Sequence, residues 1–227
     1  MNTFLSSRFY KIRIIYSLIF LLSMFDISYS LAKEDRSKEQ IMSSHKKVAI
    51  IIGSTRPNRI GDSIGKWILK EVSTASTIEF TIVDLAIWNL PMFDEPGIPA
   101  QDLYVHDHTK AWSSEIKKYD AYIFLTPQYN SGYPASLKNA IDYLCKEWHD
   151  KPAIIVSYGY QGGEKAALGL EQVLLGLKMK IIHSKPALVL HKEMFSQEGR
   201  FIDVEGAFSE YKNVIKQATT ELSTECR

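Results

Sequence analysis

Three short stretches of this chain combine residue types suited to holding an anion and a flat ring. "GSTRPNRIGDS" (53–63) offers the hydroxyls of Ser54 and Thr55 and the guanidinium groups of Arg56 and Arg59. "TPQYNSGYP" (126–134) turns through proline and glycine around Pro127, Gln128, Tyr129 and Asn130. "SYGYQGG" (157–163) follows Ser157 and Tyr158 with Gly159, Gly162 and Gly163. Hydroxyls and arginines ahead of a helix N-terminus can cradle a phosphate. The first stretch has neither the GxGxxG of dinucleotide folds nor the GxxxxGK[ST] of nucleoside triphosphatases, so a phosphate monoester fits it better than a pyrophosphate. A heterocycle with carbonyl and imide edges needs an aromatic or apolar face and donors along its rim, and Pro127 to Asn130 supply both. Glycines in the third stretch let backbone approach the same ring. One loop for a phosphate and two for a ring describe a mononucleotide such as FMN. Glycine-rich turns also arise for purely conformational reasons, and Arg56 and Arg59 also read as solvated surface charges.

These stretches meet only if each follows a strand of one parallel sheet. "VAIIIG" (48–53) is a continuous apolar run, as in a strand buried on both faces. "EFTIVDL" (79–85), "AYIFLT" (121–126), "PAIIVSYG" (152–159) and the region 181–190 read as further strands. Helical patterns fall between them: 61–72 with Ile64, Ile68, Leu69 and Val72 in phase, about 104–118, the stretch after Pro134, 164–177, and about 204–222. Ala86 to Asp102, with Pro91, Pro96, Gly97 and Pro99, reads as an irregular excursion. Strands alternating with helices imply right-handed crossovers. The expected fold is therefore α/β, a doubly wound five-stranded parallel sheet of order 2-1-3-4-5 with helices on both faces. Ligand is expected beyond the carboxyl ends of the strands, beside the first.

A net charge of +1 over 227 residues gives no basic field that argues for nucleic acid as the main partner. Two cysteines, Cys145 and Cys226, without CxxC or ligand spacing, argue against a disulfide framework and against a metal site. Cys145 reads as a buried or partly buried thiol on the helix of the second stretch. Residues 1–46 read as a leader or linker ahead of a domain at 47–227. Arg8, Lys11 and Arg13 precede the apolar run Ile14 to Phe25 and then small residues, the layout of a secretory signal peptide. Met42 offers an alternative, cytoplasmic start directly before the first strand. A membrane association is expected only if the N-terminal segment is retained.

"GSTRPNR", "LPMFDEP", "TPQYNSGYPASLKNAIDYL", "EWHDKPAIIVSYGYQGG" and "LLGLKMKII" together resemble the NAD(P)H-dependent FMN reductase family, and most closely its yeast-type flavin and quinone reductases. The likeness runs from about Lys47 to Leu190 and fades after it. It implies FMN as cofactor, NADPH or NADH as co-substrate, and quinones, free flavins or azo compounds as acceptors. It also implies a homodimer or homotetramer. By motif, Arg56 with Ser54 would hold the phosphate, and Pro127, Gln128, Tyr129 and Asn130 would line the isoalloxazine. Ser157, Tyr158 and Gly159 would close its other side. Asn58, Arg59 and Ile60 stand where family members often carry a further Ser or Asn, which sets Arg59 behind Arg56 as a phosphate ligand. Met92 and Phe93 read as loop packing, or as a cap over a neighbouring subunit's flavin.

Chemistry at the flavin ring explains why no protein nucleophile, catalytic triad or metal cluster stands out. "HDH" (106–108) reads as a solvated helix start, Trp148 and His149 as a packed helix end, and His183 as a core or interface histidine of the last strand. Two other classes share the fold: a flavodoxin-type electron carrier, and a flavin-binding regulatory scaffold without NAD(P)H turnover. The arginines of the first loop and the near-neutral charge disfavour the carrier.

Overall fold

The computed structural model describes residues 46–73 and 78–226, so the expectations for a leader or a start at Met42 fall outside the described residues. Lys46–Arg227 forms one compact unit. Strand β1 (Lys47–Ile52) is buried at every residue after Lys47. It leads into helix α1 (Gly61–Ser73), strand β2 (Glu79–Asp84) and the short helix α2 (Leu85–Trp88). Helix α3 (Asp107–Ile116), β3 (Ala121–Pro127), α4 (Ala135–Asp142), β4 (Pro152–Gly159) and α5 (Glu164–Gly176) follow. Strands β5 (Lys180–Ile181) and β6 (Ala187–Val189) and helices α6 (Val204–Ala207) and α7 (Lys212–Glu225) complete the described order.

The named strands pair in parallel, in the order β2-β1-β3-β4-β5, with β6 also on β4. Side chains alternate across the sheet, which gives each strand two faces to bury. Val48, Ile50 and Ile52 of β1 join Ile64, Trp67 and Ile68 of α1 and Ile215 and Leu222 of α7 on one side. Ala49 and Ile51 join Trp112 of α3, Leu137 of α4 and Leu170 of α5 on the other. Both layers are apolar, so β1 and β3 read as unbroken hydrophobic runs. The expected doubly wound sheet is the observed one.

Several local expectations change. The fifth strand is two pieces. β5 pairs with the start of β4 and β6 with its end. Between them Ser184 turns aside, its N–H and hydroxyl donating to Glu221 of α7 at 3.0 and 2.6 Å. His183 lies in this interruption and is exposed, not in the core. The helix expected over 204–222 is broken at Phe208, which is fully buried with its ring 5.3 Å from both Trp67 and Phe201. Burying that ring outweighs helix continuity. The excursion 86–102 contains most of α2, capped by the Asp84 carboxylate, and a 3-10 turn at Pro99–Gln101.

The 106–108 segment is not simply solvated. His106 precedes α3, so helical spacing does not separate it from His108, and the two imidazoles stack with centroids 5.2 Å apart. Asp94 receives both, the His108 Nε2 at 2.9 Å from its carboxylate and the His106 Nε2 at 3.2 Å from its carbonyl. Partial burial pushes the Asp94 carboxyl up, but hydrogen bonds from His108 and Tyr143 outweigh this and hold it below its usual value. Cys145 is partly buried as expected, but α4 has already ended at Asp142. Trp148 is fully buried, in a 3-10 turn at Lys146–Trp148.

Candidate active site

The carboxyl ends of β1, β3 and β4 carry the three loops to one edge, where they border a cleft of about 600 Å³. This lies within the usual span for cofactor sites, roughly 300–1,000 Å³. The first loop is held down by its neighbours. The Gly53 N–H donates to the Leu125 carbonyl at 2.9 Å, and the Ser136 hydroxyl donates to the Gly53 carbonyl at 2.6 Å. Ser54 is fully buried and its hydroxyl meets that of Tyr129 at 2.6 Å. Arg56 is exposed, forms no ion pair among the described residues, and sits with its guanidinium carbon 5.6 Å from the Tyr129 ring centre. Arg59 is partly engaged: its Nη2 pairs with Asp84 at the end of β2 at 2.5 Å, while its buried Nε finds no partner.

The second loop is a two-residue hairpin. Tyr129 and Gly132 exchange backbone hydrogen bonds of 2.8 and 2.9 Å, and Asn130 and Ser131 between them have φ of 49° and 66°. Two successive positive φ values define the turn type that closes tight hairpins, and asparagine tolerates it well. Gln128 ties this loop to the third: its N–H donates to the Tyr158 carbonyl, and its side-chain oxygen accepts from Lys165 N–H in the first turn of α5.

In the third loop the Ser157 hydroxyl donates to the Gly162 carbonyl at 2.7 Å. Gly162 and Gly163 both have positive φ, and a Cβ on Gly163 would come within 2.9 Å of the Tyr158 carbonyl. Those glycines therefore serve the turn itself. Tyr158 passes under the start of α1, where a Cβ on Gly61 would lie 2.8 Å from its phenol oxygen. Burial, above all, raises the Tyr158 phenol far above its ordinary pKa, which keeps it neutral.

Arg56, Pro127, Gln128, Tyr129, Tyr158 and Gly159 line the cleft as expected from sequence. Ser54 and Ser157 sit one layer behind it, each bonded to a loop atom, and Asn130 occupies the hairpin tip outside the lining. The sequence reading missed a further wall, in which Leu190, Lys192, Phe195, Ser196 and Gly199 face the same space. No motif marks that segment, and the family likeness fades where it begins.

An anionic mononucleotide suits this donor set. A free guanidinium stands at the first loop, Arg59 keeps an unmet N–H donor, and an aromatic and amide rim follows. Among the lining residues there is no carboxylate. Fold and cleft thus define a flavodoxin-like mononucleotide-binding protein. The sequence pattern of the NADPH-dependent FMN reductases matches residues 46–192, and the chain belongs to that family. It is 40% identical to an NAD(P)H-dependent FMN reductase of Schizosaccharomyces pombe over 82% of this chain and 92% of that one. It is 29% identical to a quinone reductase of Pseudomonas putida, over 71% and 88% of the respective chains. Among solved structures it resembles FerB, a flavoenzyme NAD(P)H:(acceptor) oxidoreductase of Paracoccus denitrificans, with a TM-score of 0.62, 22% identity and coverage of 79% and 98%.

Proposed function

We propose that this chain binds FMN in the three-loop cleft and uses it to pass hydride from NADH or NADPH to quinones, free flavins or azo compounds. Bound FMN supplies the hydride-accepting and hydride-donating ring. The chain's own task is to hold the phosphate, present one ring face and admit two planar partners in turn, which gives ping-pong kinetics.

Arg56 holds the phosphate. Ser54 acts behind it, through the Tyr129 hydroxyl. Pro127, Gln128 and Tyr129 border the ring, and Asn130 shapes the hairpin that presents them. Tyr158 and Gly159 border its other side, with Ser157 fixing the loop through Gly162. The single observation that carries this reading is the convergence of three loops, from distant parts of the sequence, around one cation-lined cleft free of carboxylates.

Assembly as a homodimer or homotetramer is part of the same reading. The exposed Met92 and Phe93 support it, at 76% and 41% exposure, on a segment braced by Asn139 through both its amide atoms. Residues 47–227 constitute the reductase domain and residues 1–46 a leader or upstream extension. Among the described residues no helix is long and apolar enough to cross a membrane. Location follows the start site: cytoplasmic from Met42, secretory or membrane-tethered if the leader is genuine.

The deciding experiment is a visible spectrum of the FMN-supplied protein, without oxygen, before and after NADPH or NADH and then a quinone. Bleaching on the nucleotide and recovery on the quinone is the expected result. A protein that takes up no FMN, or flavin that both nucleotides leave oxidised, would overturn the reading.

A further inference from the structure

The missed wall is a built element. The Leu190 N–H donates to the Gly159 carbonyl at 2.9 Å, which fixes the chain beside the third loop just before the 3-10 turn Lys192–Met194. Phe195 and Phe201 then pair antiparallel across a tight turn, with Ser196 N–H donating to the Arg200 carbonyl at 2.8 Å and Ile202 N–H to the Met194 carbonyl at 2.9 Å. Their rings stand 4.8 Å apart, and contacts from Phe201 to Phe208 and from Phe208 to Trp67 anchor the hairpin in the core. At its return the Arg200 guanidinium donates to the Arg59 carbonyl at 3.3 Å. The hairpin thus spans from the third loop back to the first.

This wall brings Lys192 to the cleft. Lys192 makes no ion pair among the described residues. It follows β6, which lies three strands from β1 across the sheet, about 14 Å at a strand spacing of about 4.8 Å. With an FMN phosphate held at Arg56, Lys192 stands on the far wall of the cleft, exposed, and the residues lining that cleft include no carboxylate. The second ligand in turn is a nicotinamide dinucleotide, and its two forms differ by one 2′-phosphate on the adenosine ribose. A compact ammonium suits that dianion as a point-charge partner.

We infer that Lys192, held by the Phe195–Phe201 hairpin, contacts the 2′-phosphate of the dinucleotide and makes this reductase prefer NADPH over NADH. This rests on the FMN-reductase reading of the cleft.

The test compares the FMN-loaded full chain with Lys192→Gln and with the charge-conserving Lys192→Arg. Adenosine 2′,5′-bisphosphate and AMP are titrated by calorimetry, and kcat/KM is measured for both dinucleotides. The bisphosphate should bind wild type more tightly than AMP. Lys192→Gln should lose roughly tenfold of that preference, as expected for one charge-assisted contact. The NADPH-to-NADH ratio of kcat/KM should fall by a similar factor, and Lys192→Arg should recover most of it. A wild type that does not distinguish the two adenosine probes, or ratios unmoved in Lys192→Gln, would overturn the assignment. Flavin content separates the two levels: a wild type that binds no FMN defeats the underlying reading, whereas a flavin-loaded reductase indifferent to Lys192 defeats this inference alone.

Discussion

The Ser54 and Tyr129 hydroxyl oxygens lie 2.6 Å apart, so a fully buried serine in the first loop is bonded to a cleft-lining tyrosine 75 residues later. This contact makes the first and second loops one structural unit. Tyr129→Phe removes it and leaves the Tyr158 phenol as the remaining side-chain partner of the buried Ser54 hydroxyl. The expected loss is about 1 kcal/mol of unfolding free energy, with FMN released more readily. Urea unfolding and flavin retention on gel filtration measure the two effects, and wild-type values for both would refute the coupling.

Arg56 differs from Ser54 in being exposed and unpaired. Arg56→Ala should therefore leave the urea midpoint of the FMN-free protein unchanged while raising the FMN dissociation constant at least roughly tenfold, the scale of one charged hydrogen bond. Quenching of FMN fluorescence on titration measures it. Equal affinity in wild type and variant would place the phosphate elsewhere.

Gly61 opens α1 directly over Tyr158. In Gly61→Ala the new methyl meets the phenol oxygen, and Tyr158 is only 4% exposed, so it has little room to yield. Overpacking of this kind costs about 1–3 kcal/mol. Removing the hydroxyl in the double variant Gly61→Ala, Tyr158→Phe should recover part of the loss. A double-mutant cycle by chemical denaturation reads the coupling, and strict additivity would mean that the clash lies with Ile52 instead.

Lys151 supplies a pH-dependent prediction at the opposite end of the sheet. Burial chiefly lowers its pKa to about 8. Its Nζ donates to the Tyr122 hydroxyl at 2.9 Å. Below pH 8 the ammonium is charged in both folded and unfolded chains, and the folded state bears its desolvation. Between pH 8 and the ordinary lysine value of about 10.4 the unfolded chain binds more protons, so stability rises with pH. The full shift corresponds to about 3 kcal/mol, and solvent screening at this partly exposed group reduces it to roughly 1–2 kcal/mol. Lys151→Met should be the more stable form at pH 7, and its advantage should shrink as pH passes from 8 to 10.5. Parallel stability curves for the two proteins would contradict this origin.

The sheet and the order of its strands were legible because burial on both faces leaves unbroken apolar runs, as in Val48–Ile52 and Ala121–Leu125. Glycine and proline then punctuate the loops that follow. Those loops group together on sequence alone, since parallel strands deliver their carboxyl ends to one edge. Arg56, Pro127, Gln128, Tyr129, Tyr158 and Gly159 were grouped in this way, and all six line one cleft.

Local sequence could not divide the loop residues into those that face the cleft and those that hold it. Ser54, Ser157 and Asn130 have the chemistry of ligands, yet the buried Ser54 and Ser157 hydroxyls are taken up by Tyr129 of the second loop and Gly162 of the third, and the exposed Asn130 stands at the hairpin tip. The pairing of Arg59 with Asp84 depends on β2 lying beside β1. The hairpin carrying Lys192 and Phe195 has no periodic or motif signal, because aromatic contacts to Phe208 and Trp67 hold it. Sequence by itself thus determined the sheet, its winding and the edge where the three loops gather, through short-range patterning of apolar and turn-forming residues. Tertiary structure decided which side chains reach the cleft, because that depends on contacts between residues far apart in the chain.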